Sequence, residues 1–315
     1  MTPDPLFGRG YTAHRLHLGA DEEGELIATL VHRIHRRGDR EAAPGSPPLL
    51  VLHGWSDYVL DRALLDHLGE GGHDVWALDL RKYGRSLRDG QTPTAIDHLS
   101  RYDHEIGLAL RIIGRGRSPV VIAHSMGGLI ASLYAQRHPR AFAGLALNSP
   151  WLEMHGGRWT RLLGDPLVRA VAPRLQHRAI LPTAAPHVAR TTHRDYGGRY
   201  DYELALKPAE GHGFPASTLL AVLDGQRRLA RSGPITLPVL VLHAARSRFG
   251  LRFSERMRRA DGVLDVRAIS AAARRLGPRV RVEPIEGARH EVFLSDADAR
   301  SRAVRLLDAW FAESF

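Results

Sequence analysis

The sequence predicts an α/β protein, a mostly parallel sheet of about eight strands with helices on both faces and one inserted segment. Three observations lead there. Short apolar runs alternate with helical patterns along most of the chain. Two early segments alternate apolar and polar residues at period two. The alternation of strand and helix fails once, between Pro150 and about Phe214.

Residues 11–18 and 26–35 ("LIATLVHRIH") read as two antiparallel strands with one wet face. A turn-rich connector, "RRGDREAAPGSPP", follows. Six buried strands are then expected: "LLVLH" at 49–53, "HDVWALD" at 73–79, "PVVIAH" at 119–124, "FAGLALNS" at 142–149, "LPVLVLH" at 237–243 and "RVRVEPI" at 279–285. Helical periodicity fills most gaps, notably 97–113, 126–137, 265–276 and 296–312, and "GEGG" at 69–72 reads as a helix end and turn. The break after Pro150 holds prolines 166, 173, 182, 186, 208 and 215 and no clear buried strand, which fits an inserted, largely helical cap. The expected division is therefore core at 1–150, cap at 151–214 and core again at 215–315.

The bulk numbers exclude several classes. With 315 residues and 43% hydrophobic content the chain can bury a large core. It has no apolar run of membrane-spanning length and no secretory signal at its start, so a cytoplasmic protein is expected. It has no cysteine, which removes disulfides, thiolate catalysis and cysteine–zinc sites. The formal charge is +10, yet only Lys82 and Lys207 are lysines and the arginines are spread along the whole chain. No helix-turn-helix spacing or aromatic-basic motif accompanies them, so no nucleic-acid partner is expected. The nearest histidine pair, "HRIH" at 32–35, points to opposite faces of a strand, so no metal site is expected, and no motif calls for a cofactor.

The chemistry concentrates at "VVIAHSMGG", residues 120–128. A serine at a sharp strand-to-helix turn projects its hydroxyl above the carboxyl edge of the sheet. The crowded backbone requires small residues two before and two after it, here Ala123 and Gly127. The first helical amide, on Met126, points where an oxyanion would form. This is a nucleophile elbow, usually written G-x-S-x-G, with alanine at the first small position. The competing reading is that Ser125 only caps the helix.

"LLVLHGWSD" supplies a second piece. A buried strand ends in His53-Gly54, followed by Trp55, and Gly54 lets the loop approach the elbow closely. An ordinary strand-ending turn is the plainer alternative. The third piece is "EGARHEVFLS". A serine hydroxyl needs a base to take its proton, and His290 lies in the loop after the last strand, just before the final helix.

Taken together, "HSMGG", "HG" and the late histidine resemble the α/β-hydrolase superfamily along nearly the whole chain. Within it the resemblance is to the serine-aminopeptidase-like or monoacylglycerol-lipase-like (lysophospholipase) hydrolases. "DLRKYGRS" at 79–86 is similar to that group's Asp-x-x-Gly-x-Gly-x-Ser segment and is expected to brace the oxyanion turn. The resemblance implies that the Trp55 amide is the second oxyanion donor and that a cap is inserted after the sixth strand, matching the break at Pro150; this cap is expected to contribute no triad member.

One element of the pattern is missing. The triad acid commonly follows the strand after the cap, but residues 244–250, "AARSRFG", contain no acid. The next carboxylates are Glu255, Asp261 and Asp265. Asp265, anchored by apolar neighbours in "VLDV", is the expected acid, although aspartate there would also cap the helix beginning near Arg267. Asp261, beside Gly262, reads as solvated.

The expected activity is hydrolysis of small-molecule carboxylic esters through an acyl-enzyme, with Ser125, His290 and Asp265 catalytic and Trp55 and Met126 donating to the oxyanion. A serine at the elbow argues against epoxide and haloalkane chemistry, which use a carboxylate. A peptidase or acyltransferase would use the same machinery. The empty acid position leaves a second class open, a ligand-binding scaffold without turnover. Trp151, Met154, Trp159, Leu162, Leu163 and Tyr196 either line a lipophilic pocket or form the cap's own core.

Overall fold

The computed structural model describes residues 2–114, 116–154, 166, 168–170, 175, 178–181, 187–250 and 252–315. Its main sheet has nine strands: β1 Thr2–Asp4, β2 Gly8–Asp21, β3 Gly24–Arg33, β4 Leu49–Leu52, β5 Val75–Asp79, β6 Val120–His124, β7 Gly144–Asn148, β10 Val239–Ala244 and β11 Val280–Ile285. The spatial order is β1-β2-β3-β5-β4-β6-β7-β10-β11. The first three strands and the β3–β5 pair are antiparallel, and every other neighbour is parallel. The added strand beyond the expected eight is the short β1, which pairs on the outer edge of β2.

Strands β5, β7 and β10 are buried at every residue. Their Val-, Leu- and Ala-rich runs suit positions covered by helices on both faces. Strand β3 departs from the expected wet face: residues 26–31 are all buried. Leu26, Ala28 and Leu30 enter one buried cluster and Val31 the other, so both of its faces are covered.

Helices α1 Arg62–Glu70 and α7 Ala297–Ser314 cover one face, where Leu65, Leu68, Leu307 and Phe311 join one buried cluster. Helices α2 Asp103–Ile113, α3 Met126–Arg137 and α5 Ala216–Arg231 cover the other through Ile106, Leu129, Leu133 and Val222. Helix α6, Val266–Ala273, packs Ile269 and Ala273 into that second cluster. Helix α3 is buried around almost its whole circumference, as expected of a helix held between the sheet and another helix.

The chain leaves the sheet after β7 and returns at α5. Among the described residues of this excursion are a two-stranded antiparallel sheet, β8 Ala179–Leu181 with β9 Phe214–Pro215, and the short helix α4, Val188–Thr192. Trp159, Leu162 and Leu163 lie outside the described residues. No helix among the described residues is long and apolar enough to cross a membrane.

Candidate active site

Three loops at the carboxyl edge of the parallel strands converge on one point. After β6 the chain turns through Ser125, whose backbone sits at φ 50° and ψ −116°. A non-glycine residue at positive φ costs roughly 1–3 kcal/mol and persists only where its surroundings impose it. Here the amide of Ser125 donates to the Asn148 carbonyl at 2.9 Å, and the Ser125 carbonyl accepts from Trp151 at 3.0 Å. The hydroxyl makes no capping bond to helix α3, so the capping role does not account for it. Instead Oγ lies 3.0 Å from Nε2 of His290.

The other ring nitrogen of His290, Nδ1, lies 2.9 Å from Oδ2 of Asp261. This corrects the sequence expectation. Asp265 is the N-cap of α6, its carboxylate accepting from the Arg267 amide at 2.9 Å. Asp261 is fully buried, and its Oδ1 accepts the amides of Val263 and Leu264, each at 2.7 Å. The cause is a backbone pairing that sequence periodicity does not show. The Asp261 amide donates to the Arg246 carbonyl at 2.8 Å, and its carbonyl accepts from Arg248 at 2.7 Å. The segment just past β10, which carries no acid, thus aligns Asp261 where an acid ending that strand would stand. Burial by itself would raise the Asp261 carboxyl; the charge and hydrogen bond of His290 and the two amides hold it below its ordinary value.

The arrangement fixes the proton positions. An ionised Asp261 only accepts, so His290 carries its proton on Nδ1 and leaves Nε2 free to accept from the Ser125 hydroxyl.

The turn after β4 rides directly on the elbow. A Cβ on Gly54 would stand 2.7 Å from His124 Nδ1 and 3.1 Å from Ser125 Cβ, and one on Gly127 would stand 2.3 Å from the His53 carbonyl oxygen. Only glycine lets the two loops approach this closely. His53 is locked within the turn: its Nε2 accepts from the Leu80 amide at 3.1 Å, so Nδ1 donates to the Gly54 carbonyl at 2.8 Å. The turn delivers Trp55 beside Ser125, and Met126 opens α3, where its amide has no partner within the helix. The segment at 79–86 does brace this turn. The buried Asp79 carboxylate accepts from the Val59 amide at 2.7 Å and from Arg85 at 3.0 Å.

Sequence reasoning missed four residues of the site. Asn148 ties two loops together, since its side-chain oxygen accepts the Val292 amide at 3.1 Å while its carbonyl holds Ser125. Lys207, from the inserted segment, is buried between Asp57 Oδ1 at 2.8 Å and Glu291 Oε2 at 2.7 Å. Asp57 Oδ2 lies 3.4 Å from Nδ1 of His124, the residue preceding Ser125. The available signals were that Asp57 follows the "HG" turn by three residues, that Glu291 adjoins His290, and that lysine is otherwise nearly unused. Asp57, His124 and Glu291 have the composition of a metal site. The Lys207 ammonium supplies the positive charge there, so the cluster is already neutralised in part. Burial lowers the His124 pKa, which keeps that ring neutral.

These groups face a cavity of about 240 Å³. Ser125, His290, Lys207 and Glu291 form its polar side, and Trp55, Trp151, Met154, Phe214 and Leu219 its apolar side. Tyr196, considered for the pocket from sequence, is surface-exposed.

Known proteins resemble this chain in both sequence and fold. A family model described as serine aminopeptidase, S33, matches residues 48–298. The monoacylglycerol lipase of Mycolicibacterium smegmatis is 26% identical over 212 residues, 64% of this chain and 70% of that protein. Lysophospholipase L2 of Escherichia coli is 33% identical over 99 residues, 30% of this chain and 29% of its own length. A soluble variant of monoglyceride lipase from Saccharomyces cerevisiae, solved with a substrate analog, superposes with a TM-score of 0.69 at 15% identity, covering 99% of each chain. The Paleococcus ferrophilus monoacylglycerol lipase superposes with a TM-score of 0.64 at 17% identity, covering 87% of this chain and 97% of that one. The structural likenesses establish the α/β-hydrolase fold, and the family match extends over most of the chain: it belongs to the serine aminopeptidase S33 family of α/β hydrolases.

Proposed function

We propose that the protein hydrolyses carboxylic esters bearing an apolar acyl group, through an acyl-enzyme on Ser125. One observation carries the reading: the continuous relay Asp261–His290–Ser125, with contacts of 2.9 and 3.0 Å. His290 Nε2 takes the Ser125 proton as Oγ attacks the ester carbonyl, and Asp261 stabilises the imidazolium that forms. The Trp55 and Met126 amides donate to the developing oxyanion. His290 then protonates the departing alcohol, and a water activated by the same histidine releases the acid.

The pocket supports an ester with two unlike ends. Its aromatic and aliphatic wall suits an acyl chain, while Lys207, Asp57 and Glu291 suit a hydroxylated alcohol. Names among the relatives, monoacylglycerol lipase and lysophospholipase, agree with such a substrate. Residues 151–214 are proposed as the cap, of which Trp151, Met154, Lys207 and Phe214 line this pocket. Asp261 beside His290 favours turnover over a scaffold that only binds, since that alternative rested on a missing acid.

Two measurements test the proposal. A fluorophosphonate should label the protein once, at Ser125. A series of 4-nitrophenyl esters of increasing acyl length should be hydrolysed with a clear optimum in chain length. Failure to label at Ser125 would overturn the reading.

A further inference from the structure

Four consecutive residues of the turn after β4 each meet one residue of the cap's returning limb, in antiparallel order. The Trp55 indole stacks on Phe214, with ring centroids 4.4 Å apart. Ser56 Oγ accepts the His212 amide at 2.8 Å, and faces His212 Nδ1 at 2.8 Å. Burial keeps His212 neutral, so the Ser56 hydroxyl can donate to that nitrogen. Asp57 Oδ1 accepts from Lys207 at 2.8 Å. Tyr58 Oη accepts the Glu203 amide at 2.8 Å.

We propose that residues 203–214 are a positioning strap for the oxyanion turn, with Lys207 as the point that ties the cap to both catalytic loops. The inference rests on the serine-hydrolase reading above and extends it to how the oxyanion site is held.

The turn needs such support. Ser56 sits at φ 51°, and the backbone around Gly54 touches the elbow itself. A small slide of the turn would carry the Trp55 amide out of line with Ser125. A misplacement of about 1 Å at a reacting centre can cost on the order of 10²-fold in rate. Lys207 resists that slide from a buried position, and its second contact, Glu291, is covalently next to His290. One ammonium therefore fixes the distance between the oxyanion turn and the loop carrying the base.

Of 44 lysines and arginines only two are lysines, Lys82 and Lys207. Both are buried, and each lies between two carboxylates: Asp21 and Glu23 for Lys82, Asp57 and Glu291 for Lys207.

The test uses the full chain and 4-nitrophenyl acetate, whose acetyl group makes little use of the apolar wall. Lys207→Met should lower kcat roughly 10- to 100-fold while KM stays within about threefold, because positioning acts on the transition state. The rate of fluorophosphonate labelling should fall in parallel. Removing the ammonium leaves buried carboxylates uncompensated, so this variant has a risk of not folding. Ser56→Ala removes no charge and releases only the His212 bonds; it should lower kcat about 5- to 20-fold with an unchanged urea midpoint. If Lys207→Met does not fold, Ser56→Ala decides alone. Full kcat in the folded variants, or a loss confined to KM, would overturn the strap. A Ser125→Ala protein that still hydrolyses the ester would instead overturn the serine-hydrolase reading beneath it.

Discussion

Asp261 and His290, 29 residues apart in sequence, meet at 2.9 Å because Asp261 is aligned beside the backbone that continues β10. The acid of the proposed relay arrives on a detour: the chain leaves the strand through the arginine-rich stretch after residue 244 and comes back to lie against it. Asp265, four residues on, is spent as a helix cap.

The two aspartates should therefore separate cleanly. Asp261→Asn should lower kcat by about 10³- to 10⁴-fold, since an amide in that place favours the wrong tautomer of His290. Asp265→Ala should change kcat less than about threefold and cost about 0.5–2 kcal/mol of stability, the ordinary loss of an N-cap. Steady-state kinetics beside urea unfolding measures both, and the reverse ordering of kcat losses would refute the assignment.

Ser125 combines the proposed nucleophilic hydroxyl with a backbone at φ 50°. Ser125→Ala should reduce kcat by on the order of 10⁴-fold or more. Ser125→Gly should be equally inactive yet more stable by about 1 kcal/mol, because glycine adopts positive φ without strain. A lower melting temperature for the glycine variant would show that the elbow stores no strain.

Gly127 and Ala123 flank the serine at matching distances but differ in tolerance. Gly127→Ala would put a methyl 2.3 Å from the His53 carbonyl, a backbone atom that moves only with the oxyanion turn. Its kcat should fall roughly 10²-fold. Ala123→Gly removes only a buried methyl and should leave kcat within a few-fold. Equal activity of the two variants would argue against the contact between the loops.

Glu291 shares one ammonium with Asp57 in a buried site. Burial pushes its carboxyl up to about 7 from 4.5; the Asp57 charge adds to this, while Lys207 opposes it. Between those values the folded protein holds a proton that the unfolded chain has lost, so stability falls as pH rises through that window. Glu291→Gln removes the linkage. The melting temperature of the variant minus that of the parent should grow from pH 5 to pH 8; a flat difference would mean that Glu291 stays ionised throughout.

The sequence alone determined the sheet-and-helix core and the two loops that carry Ser125 and His290. Those features are written in short-range patterns: an apolar run that stops at "HSMGG", a "HG" turn, and a histidine placed between the last strand and the last helix. The covering of β3 on both faces was not legible, because it depends on what packs against each face of the sheet rather than on the strand's own alternation. Only the tertiary structure decided between Asp261 and Asp265. Asp265 stands between two apolar residues and Asp261 beside a glycine, and local propensity favours both as caps or turns. Their fates diverge because a backbone pairing with residues 246–248 buries Asp261 against His290. The same holds for Lys207, whose partners lie 150 and 84 residues away. Charge complementarity in a desolvated site is a property of the assembled fold, and no sequence period records it.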